Sequence, residues 1–191
     1  MFLHWFCSQV RPGKPLQERS PSRPREGFCI TAYRDAQAGI VVPVLIVTVA
    51  RERVFDLFLS LLDPLGERVD VVVDKNQKSF DRPSIDLPVF KSYCCDFEDL
   101  LLQDGSLALV VGDSDGTMEV LFDEHKRLFA YARDLRPFER IVKQAGLLRD
   151  NELKGPTPRQ RSRKGGPRYA NQFGQFRHRL GVGEMVHKVS F

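Results

Sequence analysis

Along this chain the most continuous apolar run is Val41–Val49, VVPVLIVTV. It is rich in β-branched residues and much shorter than the roughly 20 apolar residues a membrane-crossing helix needs, so it predicts a strand buried on both faces. Pro43 donates no backbone N–H, which places the start of regular pairing at Val44. From Arg51 to Leu65 the period changes. Val54, Phe55, Phe58, Leu61, Leu62 and Leu65 share a helical face, Leu57 and Leu59 widen it, and Glu52, Asp56, Ser60 and Asp63 form a narrow polar stripe. That pattern predicts a helix lying on a sheet and beneath another element, ended by Pro64 and Gly66. Val69–Val73 (VDVVV) reads as a second strand, and the strand, helix, strand unit predicts a parallel pair with a right-handed crossover.

Asp74 to Pro88 reads as a polar connection pinned by Phe80, Ile85 and Leu87, of a length that often serves as a binding loop. Asp96 is placed to cap a helix over Phe97–Gln103, closed by Asp104-Gly105. Leu107–Val111, Thr117–Phe122 and Leu128–Ala132 are separated by short turns rich in Asp and Gly or in charge, which predicts a three-stranded antiparallel meander. Asp134 then caps Leu135–Ala145, where Leu135, Phe138, Ile141, Val142 and Ala145 form the apolar face and Gly146 stops the helix. Phe28–Tyr33 suits a short edge strand. The expectation is an α/β sandwich, a mixed sheet of about five strands with about three helices. A two-layer α+β fold with all helices on one face fits the same ratio.

Composition divides the chain. Its 191 residues, 42% of them hydrophobic, supply one domain with a core and leave tails. The net charge of +4 conceals an asymmetry: residues 1–37 hold six basic and three acidic side chains, 38–150 hold 14 and 20, and 151–191 hold nine and two. The expected organisation is a mostly disordered basic leader over 1–37, a single domain over 38–150, and a disordered basic tail, rich in Pro and Gly, over 151–191. Met1–Cys7 is apolar but has neither a preceding basic region nor a following cleavage site, so it does not read as a secretory signal. Cys7, Cys29, Cys94 and Cys95 contain no C-x-x-C and suit inert thiols in a reducing, cytoplasmic setting.

Candidate chemistry is sparse. In the Asp113 to Gly116 turn, setting Gly116 at position 6 of a calcium loop puts Val111 first and Phe122 twelfth, so neither end supplies a ligand. No metal site and no cofactor are expected: there is no phosphate-binding loop, the 181–186 segment lacks a third glycine, and neither a nucleophile elbow nor H-E-x-x-H occurs. His125, beside Asp123 and Glu124, is the one candidate for general acid or base work, although neighbours in a tight turn point apart. In the tail, Arg161, Arg163, Lys164, Arg168, Tyr169, Phe173, Phe176, Arg177, His178 and Arg179 interleave cations with aromatics, as binders of single-stranded nucleic acid do. The favoured expectation is a small soluble non-catalytic domain that binds a protein partner or itself, not a membrane, through a sheet edge or the 74–88 loop. A nucleic-acid-associated protein working through its basic tails, and an enzyme of unfamiliar type centred on His125, are the alternatives.

Overall fold

The computed structural model describes residues 26–35, 40–153 and 167–184. Its strands are β1 (Gly27–Asp35), β2 (Ile40–Thr48), β3 (Arg68–Lys75), β4 (Lys78–Asp86), β5 (Leu107–Asp113), β6 (Met118–Phe122), β7 (Leu128–Ala132) and the two-residue β8 (Gly183–Glu184). They form one sheet in the order β1-β2-β7-β6-β5-β3-β4-β8, and every strand pairing is antiparallel. The helices are α1 (Arg51–Leu61), followed by a 3-10 turn at Asp63–Leu65, α2 (Leu87–Asp96), α3 (Glu98–Gln103), α4 (Arg136–Gln144) and α5 (Pro167–Leu180).

This architecture corrects the expected mixed sheet of about five strands with about three helices: among the described residues there are seven strands of ordinary length, a short eighth and five helices. Alternate pairing along the sheet does give β2 and β3 the same direction, but they are not neighbours. The meander β5-β6-β7 lies between them, so the parallel pair inferred from strand, helix, strand does not form. Periodicity reports which residues are buried; it carries nothing about which strand fills the neighbouring slot. Pro43 is accommodated because the β2–β7 ladder covers only Val44–Val47, so its missing N–H falls just beyond the last rung.

The 74–88 connection is also corrected. Asn76 and Gln77, at φ 51 and 67, make the tight turn of a hairpin, and β4 occupies most of the remaining stretch. Its polar sequence fits an edge position in which Phe80 and Ile85 alone are deeply buried. Asp96 ends α2 instead of capping the next helix, and α2 itself, carrying buried Leu87, Phe90 and Cys94, lies where the sequence suggested only a loop and its exit.

All five helices pack on one face of the sheet. Val54, Phe58 and Leu61 of α1, Phe90 of α2, Leu100 and Leu101 of α3, Phe138 and Val142 of α4, and Phe173, Phe176 and Leu180 of α5 join Leu45, Val47, Val71, Val73, Leu109, Val111, Val120 and Phe122 in one cluster. The strand residues of opposite parity, with Val44 and Tyr131 at the centre and Val42, Ile46, Leu121 and Phe129 around them, form a second, smaller cluster on the other face. The fold is therefore two-layered.

The assignment of 151–191 to a disordered tail fails over 167–180. Phe173, Phe176 and Leu180 are 8%, 0% and 2% exposed, and burial of such side chains contributes roughly 2 kcal/mol each. The rest of that expectation, and most of the leader over 1–37, lies outside the described residues. No helix among the described residues is long and apolar enough to cross a membrane.

Candidate interaction surface

Strand β1 is the outer strand of the sheet, and its hydrogen-bond parity can be read directly. Phe28 N–H donates to Leu148 O at 3.0 Å and Phe28 O accepts from Asp150 N–H at 2.9 Å, so the backbone groups of Phe28 point away from β2. Antiparallel geometry alternates these directions residue by residue. Cys29, Thr31 and Tyr33 therefore face Ile46, Val44 and Val42 across the ladder, while Ile30, Ala32 and Arg34 aim their N–H and C=O groups outward. Among the described residues nothing bonds to those outward groups. Thr31, Ala32 and Arg34 are exposed and Ile30 is half-buried.

Two apolar side chains stand at the ends of this stretch. Leu148, beside Phe28, is 78% exposed, and Val41, cross-strand from Arg34, is 57% exposed. An unpaired, unbulged strand next to exposed apolar residues is a template for another strand.

The buried polar groups elsewhere have mostly structural explanations. Asp113 Oδ1 accepts from the N–H groups of Thr117 and Met118 at 2.7 and 2.9 Å. Asp123 Oδ1 accepts from the N–H groups of His125 and Arg127 at 2.9 and 2.8 Å. Both carboxylates thus serve as backbone acceptors that hold the meander turns, which is their use at such positions. Asp104 accepts from Lys75 and from Ser106. Burial pushes its carboxyl up, but the hydrogen bonds from Lys75 and Ser106 outweigh that and leave it below its usual range. Nearby Lys126 donates to Leu107 O at 3.0 Å with its Nζ 5.3 Å from the Phe122 ring centre. Burial pushes that ammonium down to about 8 against the opposing charges of Asp104, Asp123 and Glu124.

Glu119 differs from these three carboxylates. It sits mid-strand on β6, 7% exposed, between Tyr131 of β7 and Gly112 of β5. Among the described residues its carboxyl accepts no hydrogen bond, and burial pushes that carboxyl up to about 8. Tyr131 is raised in turn, first by burial and then by the charge of Glu119.

The residues singled out in the sequence are dispersed. His125 Nε2 lies 3.7 Å from Glu124 Oε1, while Asp123 is turned to its own backbone contacts and to Arg127, whose Nε donates to Oδ2 at 2.5 Å. No carboxylate from another segment joins His125 among its described partners. Of the tail residues, Arg161, Arg163 and Lys164 lie outside the described residues. Arg168 pairs with Asp99 at 2.8 Å and Arg179 with Asp96 at 3.4 Å, both on the surface. Tyr169 is half-buried, and Phe173 and Phe176 face the core. Arg177 stacks its guanidinium 3.8 Å from the Phe80 ring centre.

An open cavity of about 430 Å³ between the α2–α3 junction and α5 is lined by Phe97, Asn171, Gly174, Gln175, His178 and Arg179. It holds no carboxylate or thiol beside the imidazole, so it offers no acid, base and nucleophile set. Among the described residues no group of three or more His, Cys, Asp or Glu is arranged to hold a metal ion.

The outward-facing residues of β1 were not legible in the sequence. FCITAYRD shows a strand without Pro or Gly, but which of its amides point outward is fixed by the contact with 148–150, more than a hundred residues away. No family model, no curated protein and no solved structure matches this chain.

Proposed function

We propose that this protein is a non-catalytic binding module that recognises a polypeptide by accepting an added strand at the β1 edge. The observation that carries this reading is the row of outward backbone groups on Ile30, Ala32 and Arg34, bordered by exposed Leu148 and Val41. Backbone pairing supplies affinity in such a contact, and the flanking apolar side chains supply selectivity. The two alternatives have weaker support. Nucleic-acid binding through α5 would need free rings for stacking, and Phe173 and Phe176 are occupied in the core. Catalysis at His125 would need groups converging from separate segments, and its nearest charged partner is its own neighbour, Glu124.

The test is site-specific photocrosslinking in extracts of the source cell. A photoreactive residue at position 32 is expected to give a discrete covalent adduct, and the same residue at the exposed Glu124 position is expected to give none. Absence of any adduct at position 32 would overturn the reading.

A further inference from the structure

We infer that the strand added at the β1 edge comes from a second copy of this chain, paired antiparallel about a two-fold axis through Ala32; this rests on the edge reading above. Residues 148–150 already occupy the outward groups of Phe28, so the pairing window opens at Ile30, and β1 ends at Asp35. Within that window the outward-facing residues are Ile30, Ala32 and Arg34, whose midpoint is Ala32. A two-fold rotation about Ala32 therefore sets the donor and acceptor of Ile30 against those of the partner's Arg34, and Ala32 against the partner's Ala32. Every outward group finds a complement, which is the defining property of an isologous contact.

The side chains agree with this register. Directly opposed residues in a hydrogen-bonded antiparallel pair hold their Cα atoms about 5.5 Å apart, and the alanine at the axis is small enough to meet its own image. On the same face Ile30 lies against the aliphatic stem of the partner's Arg34. On the other face Thr31 opposes the partner's Tyr33, a β-branched residue against an aromatic. The rotation also brings Leu148, 78% exposed beside Phe28, to the far end of the partner's window, which Val41, 57% exposed on β2, borders from one strand further in.

The other edge of the sheet argues for this symmetric pairing over an open filament. A head-to-tail contact would join β1 of one copy to β4 of the next, but β8 already pairs with Phe80 and Asp81 of β4. Further along β4 the Ser84 N–H donates to Asp70 and the Ser84 C=O accepts from Arg68, so that edge is interrupted at both places and β1 against β1 is the arrangement we favour for two copies. A short strand seam falls at the low end of interface size, where weak and transient association is common, and a dissociation constant of about tens of micromolar is expected.

Sedimentation equilibrium of the full chain tests the inference. Wild type is expected to pass from monomer to dimer as concentration rises through about 10 to 500 µM. Ala32→Pro is expected to weaken the dimer by about tenfold or more, since the substitution removes a seam hydrogen bond from each strand. It leaves the β1–β2 ladder intact, because the Ala32 N–H points away from β2. Leu148→Glu, at a solvent-exposed site, supplies a second variant whose folding is not in question, and it too is expected to weaken the dimer. A wild-type chain that stays monomeric up to about 1 mM, or a dimer indifferent to both variants, would overturn the inference. If the purified chain stays monomeric while position 32 still crosslinks to a different polypeptide in extract, strand addition survives and the second copy does not.

Discussion

The two edges of the sheet are built on different principles. At the β4 edge the chain has gathered several protective devices. A register shift falls between Val69 and Val71, Ser84 sits at φ 52, β8 pairs with Phe80 and Asp81, and α5 covers the inner side with Phe173 against Phe80 at 5.6 Å between ring centres. Among the described residues the β1 edge shows none of these beyond Gly27–Cys29, where 148–153 lies alongside, and nine residues run in unbroken register against β2. Edge strands left straight and unpaired tend to associate, and proteins blunt the ones that must stay alone. On the reading proposed for β1, one edge of this sheet serves stability and the other serves contact.

If that division holds, the largest stability losses belong to the closed edge. Phe176→Ala is expected to cost about 3 to 5 kcal/mol in urea unfolding, because the ring is fully buried against the α2–α3 side of the core and next to Phe97 at 5.3 Å. A loss below about 1 kcal/mol would mean that α5 is an appendage and that the β4 edge owes little of its stability to it. Asp104→Ala should follow at about 3 kcal/mol, since it strands Lys75, whose side chain is 10% exposed, without its counter-charge.

Glu119 lies between the edges and separates pH effects from association. Its carboxyl is raised from 4.5 to about 8 by burial, so between those values the native chain holds a proton that the unfolded chain has released. Stability should fall as pH rises through that window, and the loss should be fully present above about 8. Glu119→Gln is expected to flatten this slope and to add a few kcal/mol at alkaline pH, measured by thermal unfolding across pH. The smallest stability effect is expected from Ala32→Pro, within about 1 kcal/mol for the monomer, although the same change should disrupt association. A large drop in monomer stability would show that Ala32 N–H is already in use and that the edge is not free.

The sequence was most informative where local chemistry and burial coincide. The meander, α1 and α4 were legible because strong apolar periods are bounded by Asp, Gly and Pro, and Asp113 and Asp123 do bind the turn amides beside them. The β4 edge was obscure for a physical reason: an edge strand buries few residues, and KSFDRPSID offers Phe80 and Ile85 amid polar side chains. For α5 a signal existed. Tyr169, Phe173, Phe176 and Leu180 follow i, i+4, i+7, i+11, a helical stripe, but the arginines between them suggested a nucleic-acid tail. Arg168 and Arg179 occupy outer positions of the helix and pair with Asp99 and Asp96, while Arg177 turns onto the Phe80 ring. Strand order and the outward parity of β1 were beyond reach because both depend on long-range pairing: the insertion of the meander between β2 and β3, and the contact of Phe28 with Leu148 and Asp150.

Residue-resolved amide hydrogen exchange on the wild-type chain, at low and at high concentration, addresses the division of labour most directly. Thr31, whose N–H faces Val44, should be protected at both concentrations, whereas Ala32 should exchange freely when dilute and become protected when concentrated. An Ala32 amide that exchanges at the same rate at both concentrations, or is already protected in the dilute monomer, would contradict the account.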